Sequence, residues 1–311
     1  MLILRQFPDV WPCTPANAAF RQRFYARWGR EHAIVRGRAA RISFPPFTQC
    51  LSIKAAWGGG ESYHCGTRRL RVDDDCWLVL NEGRTYGSEI AELQPTDSLA
   101  VFFAPGFSAS VTRAAQAPWA AALDTAHDDA ASGGGFDEHL HPHDGAVSPL
   151  LHALRDAVDD GESDPWWFDE QMQLLLEAML AAQQRTHALA DRVHAARAIT
   201  RAELRRRVAR AADLIQCAYA EPLTLDDLAA AAGLSKFHLV RLFRAIYGTT
   251  PHAALQRKRV RVARRLLDQP GADLTTIAVA VGFGTRFTLF RQLRRHYGAS
   301  GVALRRLPEP R

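Results

Sequence analysis

The sequence predicts an α+β protein of more than one domain, with a β-rich N-terminal part, a helical middle and an all-helical C-terminal part. Three observations carry this expectation. Up to about Val111 short apolar runs alternate with turn signals, between Phe168 and Ala198 almost nothing interrupts a helix, and beyond Thr200 a capped helix-turn-helix pattern occurs twice, about 50 residues apart. A chain of 311 residues is also long for one core, since domains usually run to about 100–200 residues.

In the first part, the runs Leu51 to Trp57, Tyr63 to Cys65, Leu70 to Val72, Cys76 to Leu80 and Leu99 to Phe103 are each followed by Gly, Asp or Pro punctuation. Strands of this length and spacing point to a small antiparallel sandwich or barrel. The segment Asp124 to Gly145 holds Gly133-Gly134-Gly135 and four His, and is expected to be irregular. Ser148-Pro149 is expected to open a helix as N-cap and first-turn proline. On the helix that follows, Met172, Leu175, Leu176, Met179 and Leu180 recur at the spacing of one apolar stripe. Such a stripe suits packing against its own domain and equally suits a homodimer, because a protein that reads paired sites gains avidity from a second copy. The more polar run from Gln183 to Ile199 reads as a linker.

Composition limits the class of protein. Apolar residues make up 47% and charged residues 23%, which suits a sizeable core, and no run reaches the ~20 apolar residues of a membrane span. Met1 to Val10 includes Arg5 and Asp9 and lacks a small-residue cleavage site, so a secretory signal is not expected and a cytoplasmic location is. The five cysteines, Cys13, Cys50, Cys65, Cys76 and Cys217, form no C-x-x-C pair, which argues against a disulfide framework and a zinc knuckle.

The net charge of +6 conceals a division of labour. Residues 200–311 hold 21 Lys+Arg against 8 Asp+Glu, a net of +13, and residues 1–199 hold 18 against 25, a net of −7. All seven Trp lie in the acidic part. A nucleic-acid-binding module joined to something that is not one leaves this footprint.

The basic part supplies the module. Thr200 and Glu203 fit a capping box opening a helix to about Ala218. Thr224 is expected to cap Leu225 to Ala232 with Leu225, Leu228 and Ala229 inward, and Ser235 to cap Lys236 to Tyr247, with Gly233 at the tight turn between them. On the second of these helices Leu239, Leu242, Phe243 and Ile246 form the inward stripe. Lys236, Phe237, His238, Val240, Arg241 and Arg244 are left outward, where such helices meet base edges and phosphates. In the repeat, Thr275 is expected to cap Ile277 to Val281, and Thr285 to open a helix ending at Gly298. There Leu289, Leu293 and Tyr297 lie inward, and Arg286, Phe287, Thr288, Arg291, Arg294 and Arg295 outward. Pro251 and the sequence from Asp268 to Gly271 bound a connecting helix of about 18 residues, or ~27 Å at 1.5 Å per residue, long enough to hold two reading helices about one duplex turn apart. Its six basic residues, Arg257, Lys258, Arg259, Arg261, Arg264 and Arg265, are too many for one apolar-faced helix without an anion nearby, and some of them are expected to contact phosphate.

These residues resemble the AraC/XylS transcription regulators over about 100 residues, through "LTLDDLAAAAGLSKFHLVRLFRAIYGTTP", "RVRVARRLL" and "IAVAVGFGTRFTLFRQLRRHYG". After Gly298 the family usually shows Thr-Pro and then Tyr-Arg, where this chain has Ser300-Gly301 and Leu304-Arg305. The resemblance implies a two-unit reader of double-stranded operator DNA with Phe237, Val240 and Arg241, then Arg286, Phe287, Thr288 and Arg291, as base-facing residues. It further implies a cupin-like N-terminal β-barrel that binds a small-molecule effector, with "CWLVLNEGRTYG" and "LAVFFAPGF" similar to segments of such barrels; a homodimer, through the apolar stripe, and an RNA polymerase contact are the other partners expected. The expected division is therefore a cupin-like effector domain over 1–147, a helical dimerisation and linker region over 148–199, and the DNA-binding domain over 200–307.

Trp57, Tyr63, His64 and Trp77 are candidate ligand-wall residues, though aromatic residues on strands also serve as plain core. Two rival functions stand beside the effector-controlled regulator: a DNA-binding protein whose β-domain only dimerises, and a metal-bearing cupin enzyme. The enzyme needs several His and a carboxylate around an ion, but His64 is followed by Cys65 and Gly66 rather than a second His. His139, His141 and His143 alternate beside Pro142 and are expected to lie on an exposed polar loop rather than to bind a metal. No phosphate-binding loop or dinucleotide fingerprint occurs, so no catalytic residue, cofactor or metal is expected.

Overall fold

The computed structural model describes residues 1–7, 26–116, 135–191, 198–269, 271 and 273–298. They fall into two compact units, Met1–His187 and Ala188–Arg311.

The first unit is built on strands β1 (Leu2–Leu4), β2 (Ala33–Thr48), β3 (Ser52–Trp57), β4 (Gly60–Cys65), β5 (Arg68–Asp73), β6 (Cys76–Leu80), β7 (Thr85–Phe102) and β8 (Leu140–Pro142). One edge of β7 pairs antiparallel with β2 along nearly its whole length. Its other edge pairs with β3 through Asp97–Phe102 and with β4 through Gly87–Glu89. A single long bent strand thereby closes the path β3-β6-β5-β4 into a barrel. Neither β2 nor the first half of β7 is among the expected runs. Pro45-Pro46 and Pro95 interrupt their apolar patterns, and these prolines fall where the β2–β7 register shifts, between Phe44 and Phe47 and opposite the Ala39/Arg41 irregularity, the places where a strand tolerates a missing amide.

Helices α1 (Phe107–Gln116), α2 (Val147–Asp159) and α3 (Pro165–Asp191) complete this unit. Strand side chains alternate between two faces. Ile53, Ala55, Leu99 and Val101 enter one core with Leu151, Leu154 and Val158 of α2 and Phe168, Met172, Leu175, Leu176 and Met179 of α3, while Lys54, Ser98, Ala100 and Phe102 line an interior cavity. With both faces covered, β6 is buried at every position, so "CWLVL" reads as a continuous apolar run rather than an alternating one. The stripe on α3 is therefore internal packing and not a dimerisation surface: Met172, Leu175 and Leu176 are wholly buried and Leu180 packs at the margin of the same core.

Two further expectations are corrected here. The α2 helix starts at Val147, so Ser148 lies inside the first turn and is not its N-cap. The Asp144 carboxylate instead accepts from the Ala146 and Val147 amides at 2.9 and 2.7 Å, while the Ser148 hydroxyl accepts from the Asp144 amide. The histidine segment is no exposed loop: Leu140–Pro142 is a strand paired with β6, placing His141 opposite Trp77. His141 stacks on Trp77 at 4.1 Å and on His139 at 3.9 Å, both histidines are buried, and burial pushes the His141 pKa well below its ordinary value. His143 turns instead to the Ser148 hydroxyl at 2.8 Å. Among the described residues no cluster of three His, Cys, Asp or Glu has a metal-holding arrangement, and no helix is long and apolar enough to cross a membrane.

The second unit consists of α4 (Ala198–Ala218), α5 (Leu225–Ala232), α6 (Lys236–Tyr247), α7 (Pro251–Leu267), α8 (Leu274–Ala280) and α9 (Arg286–Tyr297). The α4 helix begins two residues before Thr200, so the expected cap there is absent, and Glu203 pairs with Arg207 one turn on. Thr224 caps α5 in a full capping box with Asp227, and Ser235 and Thr285 cap α6 and α9. Asp273, not Thr275, caps α8, because its carboxylate accepts from the Thr276 amide at 2.9 Å. Leu225 is 37% exposed rather than inward. The residues after Gly298, including Ser300-Gly301 and Leu304-Arg305, lie outside the described ones.

Two small cores organise this unit. Val208, Ala211, Ile215, Leu228, Leu239, Leu242, Phe243 and Leu255 make the first, and Val260, Val262, Ala263, Leu267, Ile277, Leu289 and Leu293 the second. The α7 helix enters both, its N-terminal half through Leu255 and its C-terminal half through Val260 to Leu267. Three of its six basic residues are internal and serve the fold. Lys258 is wholly buried, its ammonium 5.3 Å from the Tyr219 ring centre. Arg259 donates to the Tyr219 and Glu221 carbonyls at 2.7 Å, closing the end of α4, and buried Arg264 pairs with Asp268. Arg257 and Arg261 remain exposed.

Candidate functional site

The α6 and α9 helices present matching faces, offset by 50 residues from Ser235 to Thr285 and from Gly248 to Gly298. Each begins with a hydroxyl cap and ends on a left-handed glycine, φ 67° at Gly248 and 70° at Gly298, the conformation glycine adopts without steric cost. On α6, Lys236, Phe237, His238, Arg241 and Arg244 are exposed and Val240 is half-buried. On α9, Arg286, Phe287, Arg291, Arg294 and Arg295 are exposed and Thr288 is half-buried. The first turns are tied locally: Lys236 pairs with Asp226 at 2.8 Å, His238 Nδ1 meets the Ser235 hydroxyl at 3.1 Å, and Thr288 and Thr285 share a hydroxyl bond at 3.0 Å. The Arg286 guanidinium lies 5.1 Å from the Phe287 ring centre.

Phe237 and Phe287 are each 73% exposed at equivalent positions. Leaving such a ring in water forgoes roughly 1.5–3 kcal/mol of burial, a cost that a surface closing over it recovers. Val279 on α8 and Phe290 on α9 are also exposed, and neither is among the residues expected to face outward. Val279 falls inside the apolar run "IAVAV", which hides a side chain facing outward. Phe290 stands next to the inward Leu289, where only the exact helical phase separates core from surface.

The barrel cavity, of about 50 Å³, separates the four candidate wall residues. Tyr63 lines it and is buried. Trp77 belongs to the core shared with the helices, Trp57 lies under Arg155 and beside His152, and His64 is exposed and meets Glu89 at 3.3 Å. These three are corrected out of the cavity wall, because the two-residue strand period turns them to other surfaces. Lys54, Glu61 and Tyr86, none of them among the expected wall residues, line the cavity with Trp28, Phe44 and Phe102. Lys54 Nζ sits 3.6 Å from the Phe102 ring centre and 5.2 Å from that of Tyr86, and burial pushes its pKa down to about 7. Glu61 Oε2 accepts from the Ser98 hydroxyl at 2.6 Å. Desolvation, with Glu61 beside it, pushes the Tyr63 phenol well above its ordinary value.

A family described as a helix-turn-helix domain matches residues 228–306, the stretch that holds α6, α7, α8 and α9. The C-terminal unit carries a helix-turn-helix domain. The chain is 35% identical over 92 residues to the right origin-binding protein of Escherichia coli (strain K12), covering 29% of this chain and 31% of that one. It is 29% identical over 77 residues to the RCS-specific HTH-type transcriptional activator RclR of the same organism, covering 25% and 27%. A transcriptional regulator of Chromobacterium violaceum described as AraC-type is similar at 30% identity over 32% of this chain and 89% of that one, with a TM-score of 0.31. The chain thus spans less than a third of the length of these two curated relatives. Within this domain, both turns between paired helices use a positive-φ glycine, Gly233 at 60° and Gly282 at 82°. At Gly282 a side chain is excluded twice over, since a Cβ there would stand 2.6 Å from the Ala220 carbonyl oxygen.

Proposed function

We propose that the chain is a sequence-specific DNA-binding transcription regulator whose AraC-type domain reads two successive major grooves, under the control of a small molecule held in the N-terminal barrel. The observation that carries the reading is the repeated face of α6 and α9, each with an exposed phenylalanine near its N-terminus and an exposed arginine four residues on. Arginine pairs with guanine O6 and N7, and apolar rings pack on thymine methyls. The α7 helix shares both small cores, and its 17 residues span about 25 Å at 1.5 Å per residue, which suits grooves about one turn apart on one duplex face. Lys236, His238, Arg244, Arg286 and Arg295 add phosphate contacts around Phe237, Val240, Arg241, Phe287, Thr288 and Arg291. The name of RclR, a transcriptional activator, agrees with this class. Selection of bound duplexes from a randomised pool tests it: two recognised half-sites about 10 base pairs apart are expected, and recovery of a single half-site would overturn two-groove reading.

A further inference from the structure

We infer that the barrel cavity is a binding site for a compact aromatic molecule that is uncharged overall and offers a hydrogen-bond acceptor to Lys54. The inference rests on the reading of the barrel as an effector site and names the chemistry of that effector. Its walls are aromatic on several sides, with Trp28, Phe44, Tyr86 and Phe102 among them, so a flat ring finds stacking and edge contacts worth more than area alone. A volume of about 50 Å³ admits the centres of about four water-sized groups, roughly one six-membered ring with a short substituent.

The polar groups set the rest. Glu61 is already engaged inside the protein, accepting from the Ser98 hydroxyl. Lys54 is 1% exposed, lines the cavity, and has ring faces but no hydrogen-bond acceptor around its ammonium among the described residues. A buried donor left without an acceptor is costly, so an incoming carbonyl or hydroxyl oxygen supplies what the fold omits. An anionic ligand does not suit the site. With Lys54 charged the cavity holds one cation and one carboxylate, and with Lys54 neutral it holds the carboxylate alone. In both states a second carboxylate brings a further negative charge, without a cation of its own, into a space walled largely by apolar rings. A ligand ammonium meets Lys54 with the same sign and finds Glu61 occupied.

Calorimetric titration of the full chain with benzamide, benzoate and benzylamine tests this. Benzamide is expected to bind at least about tenfold more tightly than either ion, the size of one charge-assisted hydrogen bond or more. Lys54→Met is expected to lower benzamide affinity about tenfold, and Glu61→Gln to move the preference towards benzoate. Benzoate or benzylamine binding as tightly as benzamide to the unmodified protein overturns the inference, and so does binding of none of the three at millimolar concentration. That ranking needs no variant, so a misfolded Lys54→Met leaves the test intact. Failure of the effector reading looks different: benzamide binds as expected while DNA affinity stays the same with and without it.

Discussion

Arg241 and Arg291 occupy the same place on two helices, exposed between buried neighbours, Leu239 and Leu242 on one side and Leu289 and Leu293 on the other. If each makes a bidentate guanine contact, replacement by Ala costs about 1–3 kcal/mol and relaxes preference at one base pair, with the two effects about 10 base pairs apart. Binding selections on each variant check this, and a uniform loss over all positions would reduce both residues to phosphate clamps. Arg257→Ala, at an exposed position of α7, is the matched control and is expected to weaken all sequences alike. Arg264 does not serve as that control: it is buried and pairs with Asp268, so its removal disturbs the packing at the end of the helix. Gly282→Ala places a Cβ against the Ala220 carbonyl in a backbone conformation that L side chains rarely adopt, and is expected to cost at least about 1–3 kcal/mol. Chemical denaturation of the C-terminal unit measures it, and a loss under about 0.5 kcal/mol would mean that the α8–α9 turn shifts freely.

The α3 stripe shows how far periodicity carries. The spacing of Met172, Leu175, Leu176 and Met179 identifies the helix and its apolar face, but it does not say what covers that face. The sheet does, through Ile53, Leu99 and Val101. Leu176→Ala is therefore expected to cost about 2–5 kcal/mol of N-terminal stability and to leave self-association, read by sedimentation, unchanged. A change of oligomeric state without loss of stability would return the stripe to an interface role. Helices α5, α6, α7 and α9 were legible almost to the residue, because their caps, glycine stops and 3.6-residue spacing are local signals, whereas α4 and α8 start before the threonines expected to cap them. The long strands β2 and β7 were not, since their prolines sit at register shifts that only the pairing reveals. The cavity was the least legible part. Lys54 and Glu61 are charged residues inside strands, and which face a strand turns inward depends on register with partners far along the chain. A charged residue interrupting an apolar run, as Lys54 does in "SIKAAW", was the one available signal. The same logic applies to His139 and His141, whose polar appearance and neighbouring Pro142 suggested solvent, whereas pairing with β6 buries them.

Charge divides the chain as sharply as its two units do. Residues 200–311 carry +13 and residues 1–199 carry −7, and within the basic part Lys258, Arg259 and Arg264 are consumed by the fold while Arg241, Arg244, Arg257, Arg291, Arg294 and Arg295 stay exposed. Only exposed cations displace counterions from a duplex, so the salt dependence of DNA binding counts them rather than the full basic content. A fragment from Ala188 to Arg311 has both small cores complete within itself, and is expected to fold alone and to bind duplex DNA without the barrel. With about six phosphate contacts the slope of log affinity against log salt should lie near −5, or about −0.9 per contact. Arg257→Ala should lower its magnitude by about one. Lys54→Met and Glu61→Gln in the full chain should leave that slope unaltered in the absence of ligand, because they change the barrel cavity and not the cations facing the duplex. Titrations at several salt concentrations on the fragment, the full chain and these variants decide the matter: a slope near zero in the fragment would remove electrostatic DNA binding from the C-terminal unit, whatever its helices resemble.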